Sequence, residues 1–396
     1  MTFDFDTPVN RKGINSLKWD IKENELPMWV ADMDFKTAPC VISALQKRLE
    51  NGTFGYSYIP DEWYEAYISR WKNYHHFEID RDWLIFSAGV VPAVSSLVRK
   101  LSTPAEKVLV QTPVYNIFFN SILNNGRVPL ESPLKLIEKA DAETGASLLH
   151  YEMDFEALDT ALSDPQCSLM ILCNPQNPGG EIWSRETLIR LAGLCKKHGV
   201  TVISDEIHCD ICAEGKEYVP FAGVSDTAAE ISLSCISPSK AFNIAGLHSA
   251  AVVVPDKFLR HKAWRALNTD EVAEPNVFAV QAAVAALTEG GEWLNQLNSY
   301  IFENKKLAAA FIADQLPKLG IMAGDATYLM WLDCRKYLDI KKDLTEEIRK
   351  STGLFLSGGA QYGKEGEGFM RMNLACPRCY VEDGLNRLKT ALSPLV

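Results

Sequence analysis

The sequence contains no apolar run that approaches the roughly 18 residues a membrane helix needs. A membrane-spanning role is therefore not expected. Its first residues, MTFDFDTPVNRKG, lack the basic stretch followed by an apolar one that marks a secretory leader, so a cytoplasmic protein is expected. Positive charge is also scarce: 40 Lys and Arg stand against 51 Asp and Glu, a formal net charge of -11. Nucleic-acid binding draws on clustered Lys and Arg, so a phosphate-backbone partner is not expected, although one locally basic pocket is compatible with this balance. Nor is there an internal repeat, a low-complexity stretch or a long linker.

Ten cysteines are spread along the chain without the dense, regular spacing of a disulfide scaffold, which fits a reducing compartment. Two pairs have CxxC spacing, Cys209 with Cys212 and Cys376 with Cys379. Thiolates so spaced can share a tetrahedral zinc ion. Buried or incidental free thiols are the preferred reading, and no metal is expected: the first pair is taken to end a strand, where side chains three apart point to opposite faces.

What is present is the composition of a soluble globular protein, 47% hydrophobic and 23% charged, in a 396-residue chain long enough for two or three domains with a large buried core. Strand-sized apolar runs occur in WLIFSAG, KVLVQTP, SLMILCNP, VTVISDEIH, ISLSCISPSK and SAAVVVP, separated by helix-like segments. In SRETLIRLAGLCKKHG, Leu188, Leu191, Ala192 and Cys195 share one helical face, Ser184 is a candidate N-cap, and Gly199 suits the stop. Such alternation predicts an α/β fold with a mostly parallel sheet, of a seven-stranded type, between helices. From about residue 281, long helical stretches mix with short strands around YLMWLDC and GFMRMNL, predicting a smaller α+β domain. The expected division is a large domain over residues 45–280, a small one over 281–396, and a segment 1–44 that packs on the small domain.

In an open parallel sheet, ligands bind beyond the carboxyl ends of the strands. SAG (Ser87 to Gly89) opens the helix VVPAVSSLVRKL, with Val91, Val94, Leu97, Val98 and Leu101 on its inner face and a start suited to phosphate. NPQNPGG ends another strand with two asparagines, SDEIH a third with Asp205 and His208, and SPSK a fourth with Ser237, Ser239 and Lys240. Pyridoxal 5′-phosphate (PLP) requires such a set: a lysine for its aldehyde, an acid for its ring nitrogen, and donors for its hydroxyl and phosphate.

SAGVV, TPVY, NPQNPGG, SDEIH, SPSKAFNIAGLH and RMNLACPR, in this order, resemble the fold-type I PLP enzymes of the class I and II aminotransferase superfamily over nearly the whole chain. WVADMDF, FGYSY and RMNLACPR look like its cystathionine β-lyase or C-S lyase branch. The resemblance implies that Lys240 is the Schiff-base lysine, that Asp205 pairs with the pyridine nitrogen, and that Tyr115 stacks on the ring. Asn177 would bond the ring O3′ and the substrate carboxylate, and His208 stands where many relatives have a tyrosine near O3′. The N-H groups of Val90 and Val91, with the hydroxyls of Ser237 and Ser239, would hold the phosphate. Tyr56 is similar to the tyrosine that reaches the phosphate of a neighbouring subunit, which implies a homodimer with shared active sites. Arg371 would grip the α-carboxylate of an amino-acid substrate by a bidentate pair, near a backbone position matched by Ala31.

Blander readings stay open for several of these: a core histidine with a satisfied hydrogen bond for His208, a buried aromatic for Tyr56, a surface ion pair for Arg371. One departure concerns the position eight after the lysine, where many aminotransferases carry an arginine on the phosphate and this chain has His248. Histidine is only partly charged near neutral pH, so that clamp is expected to be weaker, in keeping with the lyase branch. The expected activity is β-elimination from cystathionine or cysteine-type thioethers. The alternatives are amino transfer by the same residues and, from another class, a non-catalytic PLP-binding protein acting through its surface.

Overall fold

Apolar runs closed by glycine, proline and polar residues become strands, and all six read from the sequence do so in the computed structural model, which describes residues 2–140, 147–322, 324–337 and 344–393. One sheet holds β1 (Leu84–Ser87), β2 (Lys107–Val110), β3 (Val128–Glu131), β4 (Cys167–Cys173), β5 (Thr201–Asp205), β6 (Ser232–Ile236) and β7 (Ala250–Val253), in the order β1-β7-β6-β5-β4-β2-β3. β7 is antiparallel to both neighbours and the other pairings are parallel, so six strands end along one edge. β3 carries no apolar run: its VPLE is exposed or half-buried, and Pro129 is tolerated because the strand lies at the sheet edge.

Helices cover both faces, which is why the central strands are buried on both sides and mostly apolar. Val108, Val110, Leu169, Ile171, Ile203, Leu233 and Val252 pack with Val90, Ala93, Val94, Leu97 and Val98 of helix Val90–Leu101. Leu109, Met170, Leu172 and Val202 point the other way, onto Leu188, Leu191, Ala192 and Cys195 of helix Arg185–Lys197. That helix is capped as expected, with the Ser184 hydroxyl accepting from the Thr187 N-H at 3.2 Å. Val91 corrects the sequence reading. It is 36% exposed, because it stands about 100° around the helix from the stripe that Val90, Val94 and Val98 set.

A second, six-stranded sheet runs in the order Ser357–Gly358, Phe369–Asn373, Leu329–Asp333, Gly320–Met322, Ser147–Glu152, Lys135–Ala140. Its last two strands come from the middle of the chain and extend the sheet built by the C-terminal part. The N-terminal segment joins the same region: Leu26–Pro27 pairs in parallel with Leu354–Phe355, and Leu26 and Met28 enter a core with Ile312, Met372 and Leu385. Among the described residues, no helix is long and apolar enough to cross a membrane.

All ten cysteines are free. Cys209 does not end a strand, as the sequence suggested, but lies in a turn after β5. Ligand atoms of Cys209, His75 and Asp210 come within 4.8 Å of one another, yet Arg70 Nη2 holds Asp210 Oδ1 at 2.6 Å, a cation beside the place a metal ion would take.

Candidate active site

The residues expected at the strand ends converge on that common edge. After β1, Gly89 adopts φ 155°, ψ 161°, a conformation almost confined to glycine, and a Cβ there would meet Pro92 Cδ at 3.2 Å. The turn delivers the first N-H groups of helix Val90–Leu101, those of Val90 and Val91, which have no carbonyl partner within the helix. Ser87 pairs with Ala250 of β7 and Ala251 with Ile236 of β6, so the turn after β6 lies close by. In it, Ser237 Oγ donates to the Ser249 carbonyl at 2.6 Å and accepts from the Ser239 N-H at 3.0 Å. The one Ser237 proton is thereby committed to the turn, whereas the Ser239 hydroxyl makes no hydrogen bond among the described residues. His248 is exposed and adjoins the same place, its Nδ1 3.2 Å from the Ala88 carbonyl oxygen.

Lys240 is half-buried, and its amine donates to the Ala31 carbonyl at 2.7 Å. Burial pushes that amine down to about 8, Arg371 adds to the effect, and Asp32 and Asp205 oppose it. Asp205 closes β5 between Cys173 of β4 and Cys235 of β6, whose side chains share its face. In this apolar bed it accepts one backbone hydrogen bond, from the Ile207 N-H at 3.1 Å, and burial pushes its carboxyl up to about 7.

His208 is buried three residues on. Burial, then the charges of Lys240 and Arg371, hold its imidazole well below the usual range, so the ring is neutral. It is not a satisfied core histidine: Nδ1 has no partner among the described residues, and the ring stands edge-on to Tyr328 at 5.9 Å. Tyr115 follows β2, where burial and the Asp205 charge push its phenol up to about 12 while Arg371 opposes them.

Arg371 is 5% exposed on strand Phe369–Asn373 and forms no surface ion pair. Its Nη1 donates to Asn177 Oδ1 and its Nη2 to the Trp29 carbonyl, each at 3.1 Å, while Nε has no partner among the described residues. The Tyr362 ring lies 5.0 Å from the guanidinium. A buried cation facing no carboxylate among the described residues is a receptor for an anion. Tyr56 alone stands apart: it is 103% exposed, not a buried aromatic, and belongs to no part of this cluster.

Sequence reasoning missed Tyr328 and Asn373. Tyr328 is fully buried and donates its hydroxyl to the Ala31 carbonyl at 2.8 Å, sharing that oxygen with Lys240. No spacing announces it, since it precedes a strand and reaches the site through tertiary contacts. Asn373 Nδ2 forks onto the Val30 and Asp32 carbonyls at 2.6 Å each, on either side of Ala31. Its signal was available: two residues beyond Arg371 in a strand, it shares that residue's face.

The donor set fits PLP: an amine of lowered pKa, a carboxyl in an apolar bed, an imidazole nitrogen with no partner, and unpaired N-H groups at a helix start. Residues 24–388 match the family described as aminotransferase class I and II, and the chain belongs to that family. It is 44% identical over 397 residues to cystathionine beta-lyase PatB of Bacillus subtilis (strain 168), covering 98% of this chain and 100% of that protein. It is 34% identical over 398 residues to protein MalY of Escherichia coli (strain K12), covering 98% and 99%. Among solved structures, the PLP-bound C-S lyase from Staphylococcus hominis superposes with a TM-score of 0.90 at 32% identity, covering 98% of this chain and 99% of that one.

Proposed function

We propose that the protein is a PLP-dependent carbon-sulfur β-lyase, releasing pyruvate, ammonia and a thiol from L-cystathionine or a related cysteine thioether. One observation carries this: the full-length likeness to a protein named cystathionine beta-lyase, in a chain whose buried Arg371, beside Asn177 and the Lys240 amine, faces no carboxylate among the described residues. Lys240 would hold the cofactor aldehyde, Asp205 the ring nitrogen, Tyr115 the ring face, and Asn177 and His208 the ring hydroxyl. The N-H groups of Val90 and Val91 and the Ser239 hydroxyl would hold its phosphate, with Ser237 shaping the turn. When bound, the group supplies a sink for the electron pair left on Cα after proton removal.

The rest follows from the chain's own side chains. The Arg371 fork takes the substrate α-carboxylate in charge-assisted hydrogen bonds, and Asn177 is placed to share it. The substrate's amino group would take the place of Lys240 on the aldehyde and free its amine; lowered to about 8, that amine is neutral in an appreciable fraction of molecules near neutral pH and can accept the Cα proton. The Cβ-S bond then breaks with its electrons on sulfur, and the thiolate takes up a proton. Water converts the three-carbon remainder to pyruvate and ammonia. His208, neutral and buried, adds no competing positive charge beside the amine.

The homodimer is part of the same proposal. Tyr56 at 103%, Tyr58 at 81% and Phe54 at 56% exposure form an aromatic segment suited to a second copy of the chain, whose phosphate site Tyr56 would reach. Ten free thiols fit a cytoplasmic enzyme acting on small amino acids. Thiol release from L-cystathionine by the purified protein tests the function, and a PLP-loaded enzyme that releases none contradicts it.

A further inference from the structure

Lys305 lies on helix Gly291–Gln315, outside every segment that supplies the candidate site, and is 6% exposed. Buried lysines are ordinarily paired with a carboxylate. This one has none within 4 Å among the described residues; its Nζ donates to the backbone carbonyls of Gly324, Ala326 and Thr327 at 2.8, 3.0 and 3.2 Å. Burial lowers the amine to about 8, opposed by Asp325, Cys212 and Glu181.

The loop that it gathers is hydrogen-bonded to two segments that carry site residues and runs directly into a third. The Ala326 N-H donates to the Gly180 carbonyl at 2.9 Å, beyond Asn177 in NPQNPGG. The approach is so close that a Cβ on Gly180 would meet the Ala326 oxygen at 2.6 Å. The Thr327 N-H donates to the Ile211 carbonyl at 2.9 Å and the Ala213 N-H to the Asp325 carbonyl at 2.8 Å, on the turn that begins at His208. The next residue is Tyr328, which shares the Ala31 carbonyl with Lys240. Thr327 is held at φ 62°, a left-handed conformation that a β-branched residue rarely adopts and that persists only where its surroundings enforce it.

We propose that Lys305 is a positioning residue whose ammonium serves as an internal cation, chelated by three carbonyls, that holds loop 324–328 and through it sets the places of Asn177, His208 and Tyr328. The proposal rests on the reading of the site given above.

A cation held by carbonyls is replaceable by a free one of similar size, which a merely structural side chain is not. In the PLP-loaded enzyme, Lys305→Ala is expected to lose roughly tenfold or more in kcat/KM with L-cystathionine, chiefly in kcat, as misplaced site residues do. Amide hydrogen exchange over residues 324–328 should rise. Methylammonium chloride should reverse most of both changes, and tetramethylammonium chloride, too bulky for the vacated place, should reverse neither. Lys305→Met, which refills the place with an uncharged stem, should show the loss without the rescue. Should Lys305→Ala not fold, Lys305→Met carries the exchange and kcat measurements, and recovery in Lys305→Arg replaces the methylammonium arm. Unchanged exchange at 324–328, raised exchange with wild-type kcat/KM, or equal behaviour in the two ammonium salts would overturn the proposal. A wild-type enzyme that releases no thiol would count against the lyase reading alone, because the exchange and its response to methylammonium are read without turnover.

Discussion

The Lys240 amine is the group to which its neighbours are fitted, and its cost to the fold is measurable. Folding lowers it from 10.5 to about 8, chiefly by burial. An unfolded chain thus keeps this proton up to about pH 10.5 while the folded chain gives it up near pH 8. The penalty is full below pH 8 and fades as pH rises from there to 10.5. In cofactor-free protein, Lys240→Met is expected to be more stable than wild type at pH 7, by on the order of 3 kcal/mol at most. The advantage should disappear toward pH 10.5, and thermal melts at the two pH values check it. A variant that melts below wild type at pH 7 would show that the Ala31 hydrogen bond outweighs the burial of charge. Lys240 and Asp205 were legible in the sequence because Asp205 closes a buried strand and Lys240 follows one within four residues, where an ionisable side chain has no packing reason to be. The unpartnered Nδ1 of His208 was not, since it depends on what the ring fails to meet in space.

Local chain geometry decides whether these groups can hold a phosphate. Gly89 turns β1 into helix Val90–Leu101 at φ 155°, with Pro92 3.2 Å from the place of a Cβ. Gly89→Ala is expected to strain this turn by about 1 to 3 kcal/mol. The helix start would shift, and PLP affinity should weaken by roughly tenfold or more. Fluorescence titration of cofactor-free protein measures this; wild-type affinity would mean that the Val90 and Val91 N-H groups do not carry the phosphate. Elements rich in buried apolar residues, β1, β2 and β4 to β7, could be read directly. β3, with only Val128 and Leu130 apolar, could not, and neither could the pairing that sends strands Lys135–Ala140 and Ser147–Glu152 into the second sheet. Strand partners far apart in sequence are chosen by tertiary packing, on which the local pattern is silent.

Across the whole molecule, the site draws on residues from Trp29 to Asn373, so it forms only once the N-terminal segment, both sheets and the loop around Tyr328 have come together. The motifs named most of its members, while the links between them, such as Asn373 on Val30 and Asp32, emerged from the folded chain. Tyr56 is fully exposed and outside the cluster, so the proposed dimer requires each site to borrow it from the other subunit. Mixing Tyr56→Phe chains with Lys240→Ala chains should generate hybrids with one wholly native site and restore activity above that of either parent. Demonstrated subunit exchange without recovery would place Tyr56 outside the partner's chemistry. Whether the assembled enzyme eliminates or transfers is settled by incubating PLP-loaded protein with L-cystathionine in the absence of any keto acid, and separately supplying L-alanine with a keto acid. Elimination needs a leaving group on Cβ and no amino acceptor, so the account predicts many equivalents of pyruvate and thiol per active site from L-cystathionine alone, and far slower amino transfer from L-alanine. Amino transfer faster than pyruvate release from L-cystathionine would contradict it.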